Sequence, residues 1–175
     1  MGHRGLVIWF TGLACAGKTT LSYAVQARLC ALGHRVEHLD GDVVRQDLSR
    51  GLGFTREDRD ENIRRIAFVA SLLFKHGVIV LVSAISPYRD GRDEARQRIG
   101  DGFIEVFVDA PLAVCESRDV KGLYRKARAG VVREMTGLDS AYEAPENAEV
   151  VCHTDRETVE ESAVKVMQFV SRFLE

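Results

Sequence analysis

At 175 residues, with 46% hydrophobic and 29% charged positions and a net charge of −2, the chain has the bulk properties of one globular domain with a proper core. The near-neutral balance argues against an electrostatic nucleic-acid binder, and no apolar run is long enough to span a membrane. Cys15, Cys30, Cys115 and Cys152 lack metal or disulfide spacing, so the expectation is reduced, mostly buried thiols in a cytoplasmic protein whose first strand starts too early for a signal peptide.

Apolar runs alternate with helical patterns throughout, which predicts an α/β fold: a doubly wound, parallel five-stranded sheet with helices on both faces, as a single domain over 1–175. The first strand, about 6–11, leads into Gly12, Leu13, Ala14, Cys15, Ala16, Gly17, Lys18 and Thr19, a G-x-x-x-x-G-K-[ST] string. A helix over about 18–32 follows, with Leu21, Ala24, Val25, Leu29 and Leu32 on one face and Gly33 at its end. That strand–loop–helix order is the context a phosphate-binding loop requires. Its glycines let backbone N–H groups turn inward and the helix N-terminus adds positive potential. Lys18 would reach the β- and γ-phosphates of ATP, and Thr19 would hold Mg2+.

A second strand, about 35–39, ends in Asp40-Gly41-Asp42, and a short helix is expected near 43–50. Thr55 and Asp58 resemble a capping box opening a helix to about Lys75, and Val78–Ala84 reads as a central strand. A helix near 88–99, a strand over Phe103–Val108 and a short helix near 111–118 come next. The last strand is near Glu149–Cys152, and a final helix spans about 156–174 with Val159, Ala163, Val166, Val170 and Phe173 inward. Ligands of such sheets sit at the carboxyl ends of the strands, so Asp40 to Asp42, Ser83 to Tyr88 and Asp109 should surround the phosphate loop.

Asp40 and Asp42 suit phosphoryl transfer, which needs a carboxylate near the acceptor hydroxyl and others near hydrated magnesium. Arg59, Asn62 and Arg65 recur at a spacing of three on one helix and, with Arg45, suit an anionic group. The stretch from Arg118 to Gly130, RDVKGLYRKARAG, reads as a mobile basic lid whose cations meet phosphates on closure.

These strings resemble the adenylylsulfate kinase (APS kinase) family: IWFTGLACAGKTT, LDGDVVR, LGFTREDRDENIRRIA, ISPYR, FIEVFVDAPLAVCESRDVKGLYRKARAG and TGLDSAYEAPENAE. The resemblance implies transfer of the ATP γ-phosphate to the 3′-hydroxyl of adenosine 5′-phosphosulfate. It places ATP and magnesium on Gly12 to Thr20 and Arg118, and Asp42 near the acceptor hydroxyl with Asp40 supporting it and the metal. Arg45, Arg59 and Asn62 would hold the phosphosulfate and Phe54 would stack on its adenine. Ile85 and Ser86 form the acceptor loop, Lys121 bridges substrate and transferred phosphoryl, and Glu134 and Met135 lie on the lid (about 118–137). Family annotation names the serine matching Ser86 as a phosphoserine intermediate, although in-line transfer needs no covalent step. A homodimer and coupling to an ATP sulfurylase are further family expectations.

Val43 stands where the family has Asn and loses an amide contact, Met135 stands where it has Phe and softens the clamp on the substrate adenine, and Glu134 stands where it has glycine and places a negative charge near a polyanionic substrate. Three other readings follow. One is a kinase of the same fold for a different nucleotide or small alcohol, and one is a weakly active regulatory module. The third is a GTPase switch using Asp119 to Gly122 as D-x-x-G, though no N-K-x-D string accompanies it.

Overall fold

A computed structural model describes residues 5–174; residues 1–4 and 175 of the expected domain span lie outside the described residues. Five strands form one all-parallel sheet in the order β2-β3-β1-β4-β5: β1 Leu6–Thr11, β2 Val36–Asp40, β3 Ile79–Ser83, β4 Phe103–Asp109 and β5 Val150–His153. The helices are α1 Lys18–Ala31, α2 Gly41–Gln46, α3 Arg56–Lys75, α4 Arg89–Ile99, α5 Leu112–Arg118, α6 Leu123–Arg128 and α7 Val159–Val170.

The period-2 geometry of a strand explains how one central element serves two cores. Leu6, Ile8 and Phe10 of β1 pack with Leu21, Val25 and Leu29 of α1 and Val166 and Val170 of α7. Val7 and Trp9 point the other way, into Ile63, Ile66 and Ala70 of α3 and Ala95 and Ile99 of α4. Helices therefore cover both faces, and β1 and β3 are buried throughout, as unbroken apolar runs require. No helix among the described residues is long and apolar enough to cross a membrane.

Several local expectations change. The short helix begins at Gly41 rather than 43 and ends at Gln46 rather than 50, because Asp40 Oδ1 accepts the Asp42 N–H at 2.9 Å and caps it early. The last helix starts at Val159 rather than 156, since Thr158 and Glu161 form a reciprocal capping box; it ends at Val170, with a single 3-10 turn over Ser171–Phe173. Val159 consequently lies at the exposed first turn, 46% exposed, and Leu32, beyond the end of α1, is 64% exposed. Thr55 Oγ1 accepts the Asp58 N–H at 3.2 Å, but the Asp58 carboxylate turns to the Gly53 N–H, so the box is only half formed. All four cysteines are free; Cys115 and Cys152 are buried, Cys15 half-buried and Cys30 exposed.

Candidate active site

The carboxyl ends of β1, β2 and β3 open onto a cleft of about 640 Å³. Between β1 and α1 the chain alternates into left-handed backbone at Cys15 (φ 60°) and Gly17 (φ 106°), the conformation that gathers successive N–H groups into an anion-binding concavity. The carbonyls of this turn are each taken. Tyr124 Oη donates to Ala14 O at 3.0 Å, Arg118 Nη1 donates to Cys15 O and Ala16 O at 3.3 Å, and Thr154 Oγ1 donates to Ala16 O at 2.6 Å. The Gly12 and Ala16 N–H groups bond Ile85 O and Leu13 O, and the loop's other N–H groups are left to meet a ligand. Lys18 folds back to donate to Gly12 O at 3.0 Å and Leu13 O at 2.7 Å, and burial lowers its pKa to about 8.

Thr19 Oγ1 donates to Asp40 Oδ2 at 2.8 Å, which joins the start of α1 to the end of β2. These are hard oxygen donors side by side. They fit Mg2+, which takes one or two protein ligands and completes its shell with phosphate oxygens and water. Among the described residues no group of three or more His, Cys, Asp or Glu forms a fuller metal cage.

Across the cleft Asp42 forms an ion pair with Lys121, and that hydrogen bond raises the Lys121 pKa. Arg45 and Arg59 both stack over Phe54, 4.6 and 5.5 Å from its centroid. Arg45 Nη1 also donates to Gly53 O at 2.9 Å; Arg59 Nε donates to Phe54 O at 2.7 Å and its Nη2 to Glu134 O. Burial lowers the pKa of each, which marks two poorly solvated cations in the cleft wall. Asn62 and Thr136, 6% and 1% exposed, line the same wall, and Asn62 Oδ1 and Thr136 Oγ1 have no protein partner. Buried polar atoms are rarely left so, and a polar ligand group would satisfy them.

The acceptor loop closes the floor. Ile85 O accepts from Thr11 Oγ1 at 2.7 Å and from the Gly12 N–H at 3.4 Å, tying this loop to the phosphate loop. Ser86 is 2% exposed; its hydroxyl accepts from Trp9 Nε1 at 2.9 Å and donates to Ala84 O at 3.4 Å. Met135 lines the cleft but is 6% exposed and packs within the core, while Phe54 is 52% exposed. Glu134 sits at φ 59°, where a non-glycine residue pays about 1–2 kcal/mol. Its N–H donates to Asp139 Oδ2 at 2.8 Å, which holds it there.

Leu13, Ala16 and Gly12 shape the loop; Ala14, Cys15, Gly17, Lys18, Thr19, Thr20, Asp40, Asp42 and Arg118 line the cleft with the acceptor-side residues. Arg65 does not join them: it bonds Glu61 and Leu48 O. The Asp109 carboxylate pairs with His153 Nδ1 at 3.0 Å instead of facing the loop. The basic stretch is anchored at several points. Asp119 accepts the N–H groups of Tyr124 and Arg125 and so starts α6, Tyr124 is 2% exposed, and Arg128 pairs with Glu116. Only Arg118 and Lys121 of its cations line the cleft. The Asp119 carboxylate is thus a helix cap, which removes the D-x-x-G reading.

Sequence reasoning missed Thr154, Tyr124 and Trp9. Thr154 directly follows β5, so the rule that ligands gather at strand ends could have found it. Tyr124 and Trp9 read locally as ordinary core residues and carry no signal of their own.

Two anion-binding walls thus face each other, one made of backbone N–H groups and a lysine, the other of arginines around an aromatic ring. That arrangement defines a phosphate-loop kinase, which holds a nucleoside triphosphate against an anionic acceptor. The sequence model of the family described as adenylylsulphate kinase matches residues 4–153, and the chain belongs to that family. It is 66% identical over 168 residues to the adenylyl-sulfate kinase of a Synechococcus strain, covering 96% of this chain and 95% of that one. A Picosynechococcus adenylyl-sulfate kinase is 63% identical over 168 residues, covering 96% and 94%. Among solved structures, the APS kinase of Mycobacterium tuberculosis in complex with AMPPNP and APS superposes with a TM-score of 0.92 at 44% identity, covering 97% of this chain and 99% of that one.

Proposed function

We infer that this chain is an adenylyl-sulfate kinase, moving the γ-phosphoryl group of ATP to the ribose 3′-hydroxyl of adenosine 5′-phosphosulfate. The products are 3′-phosphoadenylyl sulfate and ADP. The observation that carries the reading is the Asp42–Lys121 pair, which stands across one cleft from the phosphate loop in a chain of this family.

The acceptor oxygen attacks the γ-phosphorus in line as the bond to the β-phosphate oxygen breaks. Asp42 orients the hydroxyl and takes its proton. Lys18, Arg118 and Lys121 supply fixed positive charge where it spreads over the transferring group. Thr19 and Asp40 would hold Mg2+, which neutralises the β- and γ-phosphates when bound. Arg45, Arg59 and Asn62 receive the phosphosulfate, and Phe54 and Met135 clamp the adenine from opposite sides. The Ser86 hydroxyl is committed to Trp9 and Ala84, which supports direct transfer over a phosphoserine step.

Purified chain supplied with ATP, Mg2+ and adenylyl sulfate should form ADP and 3′-phosphoadenylyl sulfate one for one. Asp42→Ala should lower kcat about a hundredfold or more while the KM for ATP holds. Turnover of another alcohol in a substrate panel, with none of adenylyl sulfate, would replace this reading by a kinase of different acceptor.

A further inference from the structure

Ser86 lies at φ 48°, a left-handed conformation that a non-glycine residue keeps only where its surroundings over-determine it. Trp9 fixes its side chain and Thr11 fixes the carbonyl before it. The Ser86 carbonyl itself is held from behind by Arg92 of α4, whose Nη1 donates to it at 2.6 Å. Arg92 is 2% exposed and does not line the cleft. Its other donors reach two further parts of the fold: Nε to Glu105 Oε1 of β4 at 2.7 Å, and Nη2 to Glu143 O at 2.7 Å. Glu105 is anchored in turn, since its N–H donates to Glu149 Oε2 at 2.6 Å and Glu149 grips Arg96 at 2.6 and 2.8 Å.

A buried ion pair is weak ground for stability, because well-packed apolar groups often serve as well. What an arginine adds is a rigid fork that can satisfy three acceptors in fixed relative positions, which lysine cannot do. Here the fork joins the acceptor loop, β4 and the segment carrying Tyr142. The Tyr142 hydroxyl lies 3.0 Å from Thr11 Oγ1, the same hydroxyl that holds Ile85 O.

We propose that Arg92 is a positioning residue for the phosphoryl-acceptor loop, its guanidinium setting where Ile85 and Ser86 meet the acceptor nucleotide relative to the phosphate loop. The proposal rests on the kinase reading above and adds a residue to its specificity apparatus. Because Arg92 acts through Ser86 on the acceptor side, its loss separates the two substrates kinetically.

Steady-state kinetics of Arg92→Lys and Arg92→Ala, normalised to folded protein, test this. In Arg92→Lys, kcat/KM for adenylyl sulfate should fall about ten- to a hundredfold, the range for losing a hydrogen bond to a charged group, while the KM for ATP stays within about twofold. Millimolar guanidinium ion should restore part of the Arg92→Ala loss, and equal urea should not. Glu105→Gln keeps an oxygen for Nε and should lower the melting temperature without splitting the substrates. If Arg92→Lys changes both substrates in parallel, or neither, the role is structural and the proposal is overturned. If the unaltered chain does not turn over adenylyl sulfate, the kinase reading fails and takes the proposal with it.

Discussion

Lys18 shows how burial sets a working range at a single residue. Burial depresses its pKa to about 8 from the ordinary 10.5 of a lysine, so free enzyme loses this cation as pH rises through about 8. Triphosphate binding needs the charged form, and kcat/KM for ATP reports the free enzyme. That parameter should therefore fall about tenfold per pH unit above about 8, and Lys18→Arg should flatten the limb even if it lowers the plateau. A pH profile of kcat/KM, unchanged up to 10, would show that another cation carries the phosphate. The sign for stability is opposite. Between about 8 and 10.5 the unfolded chain binds the extra proton, so this group favours folding more as pH rises through that window. At this scale the sequence was most legible where chemistry is local. Lys18, Thr19 and the Asp40–Asp42 pair announce themselves by spacing, and the structure brings all of them to one cleft. Arg92 does not announce itself, because its meaning lies in three acceptors 6, 13 and 51 positions away. Glu134 is intermediate: its oddity against the family glycine was visible, but the φ of 59° that explains the glycine was not.

Among the elements, α6 carries a contact that its charge pattern hides. A run of lysines and arginines between glycines reads as a lid, and Tyr124 adds a contact from it to the phosphate loop. Charge is read from exposed positions, whereas the seat of α6 on the loop is set by the one buried aromatic among them. Burial raises the Tyr124 pKa above its ordinary value, so its hydroxyl stays a proton donor across the working range. Tyr124→Phe keeps the packing and leaves Ala14 O without this donor. A neutral hydrogen bond contributes about 1 kcal/mol, so the KM for ATP should rise about fivefold. The KM for adenylyl sulfate should hold, since Tyr124 touches only the loop side. Equilibrium binding of a fluorescent ATP analogue checks the first half, and unchanged affinity would mean that Arg118 and Thr154 suffice to shape the loop. The strands needed no correction beyond a residue at their ends, because continuous apolar runs in a sheet covered on both faces leave little to decide. Helix ends moved more, since Asp40 and Thr158 each chose the start by capping.

The whole molecule divides its labour along the strand axis, and β1 carries the division within six residues. A glycine stands at each end. A Cβ on Gly5 would lie 2.2 Å from the backbone oxygen of Phe74, near the end of α3; one on Gly12 would lie 2.3 Å from the backbone oxygen of Val108. Both clashes are with main chain, so neither is relieved by turning a side chain. Between the two sites β1 is hydrogen-bonded to β3 on one side and β4 on the other, which makes it a stiff rod at the centre of the sheet. Strain at Gly5 should therefore be taken up where α3 gives way to the Gly77 turn rather than pass to the cleft. Gly5→Ala should cost about 1–3 kcal/mol, the range for overpacking. For a chain of this size that lowers the melting temperature by about 2–4 °C per kcal/mol. Its kcat and both KM values, measured well below the transition, should match the parent. Gly12→Ala moves the chain at the acceptor-loop contact, where the Gly12 N–H meets Ile85 O, and should abolish measurable ATP turnover. Calorimetry beside kinetics on the two variants decides the matter. If Gly5→Ala lowers kcat while fully folded, β1 transmits strain along its length, and the amino end of the sheet belongs to the functional machinery after all.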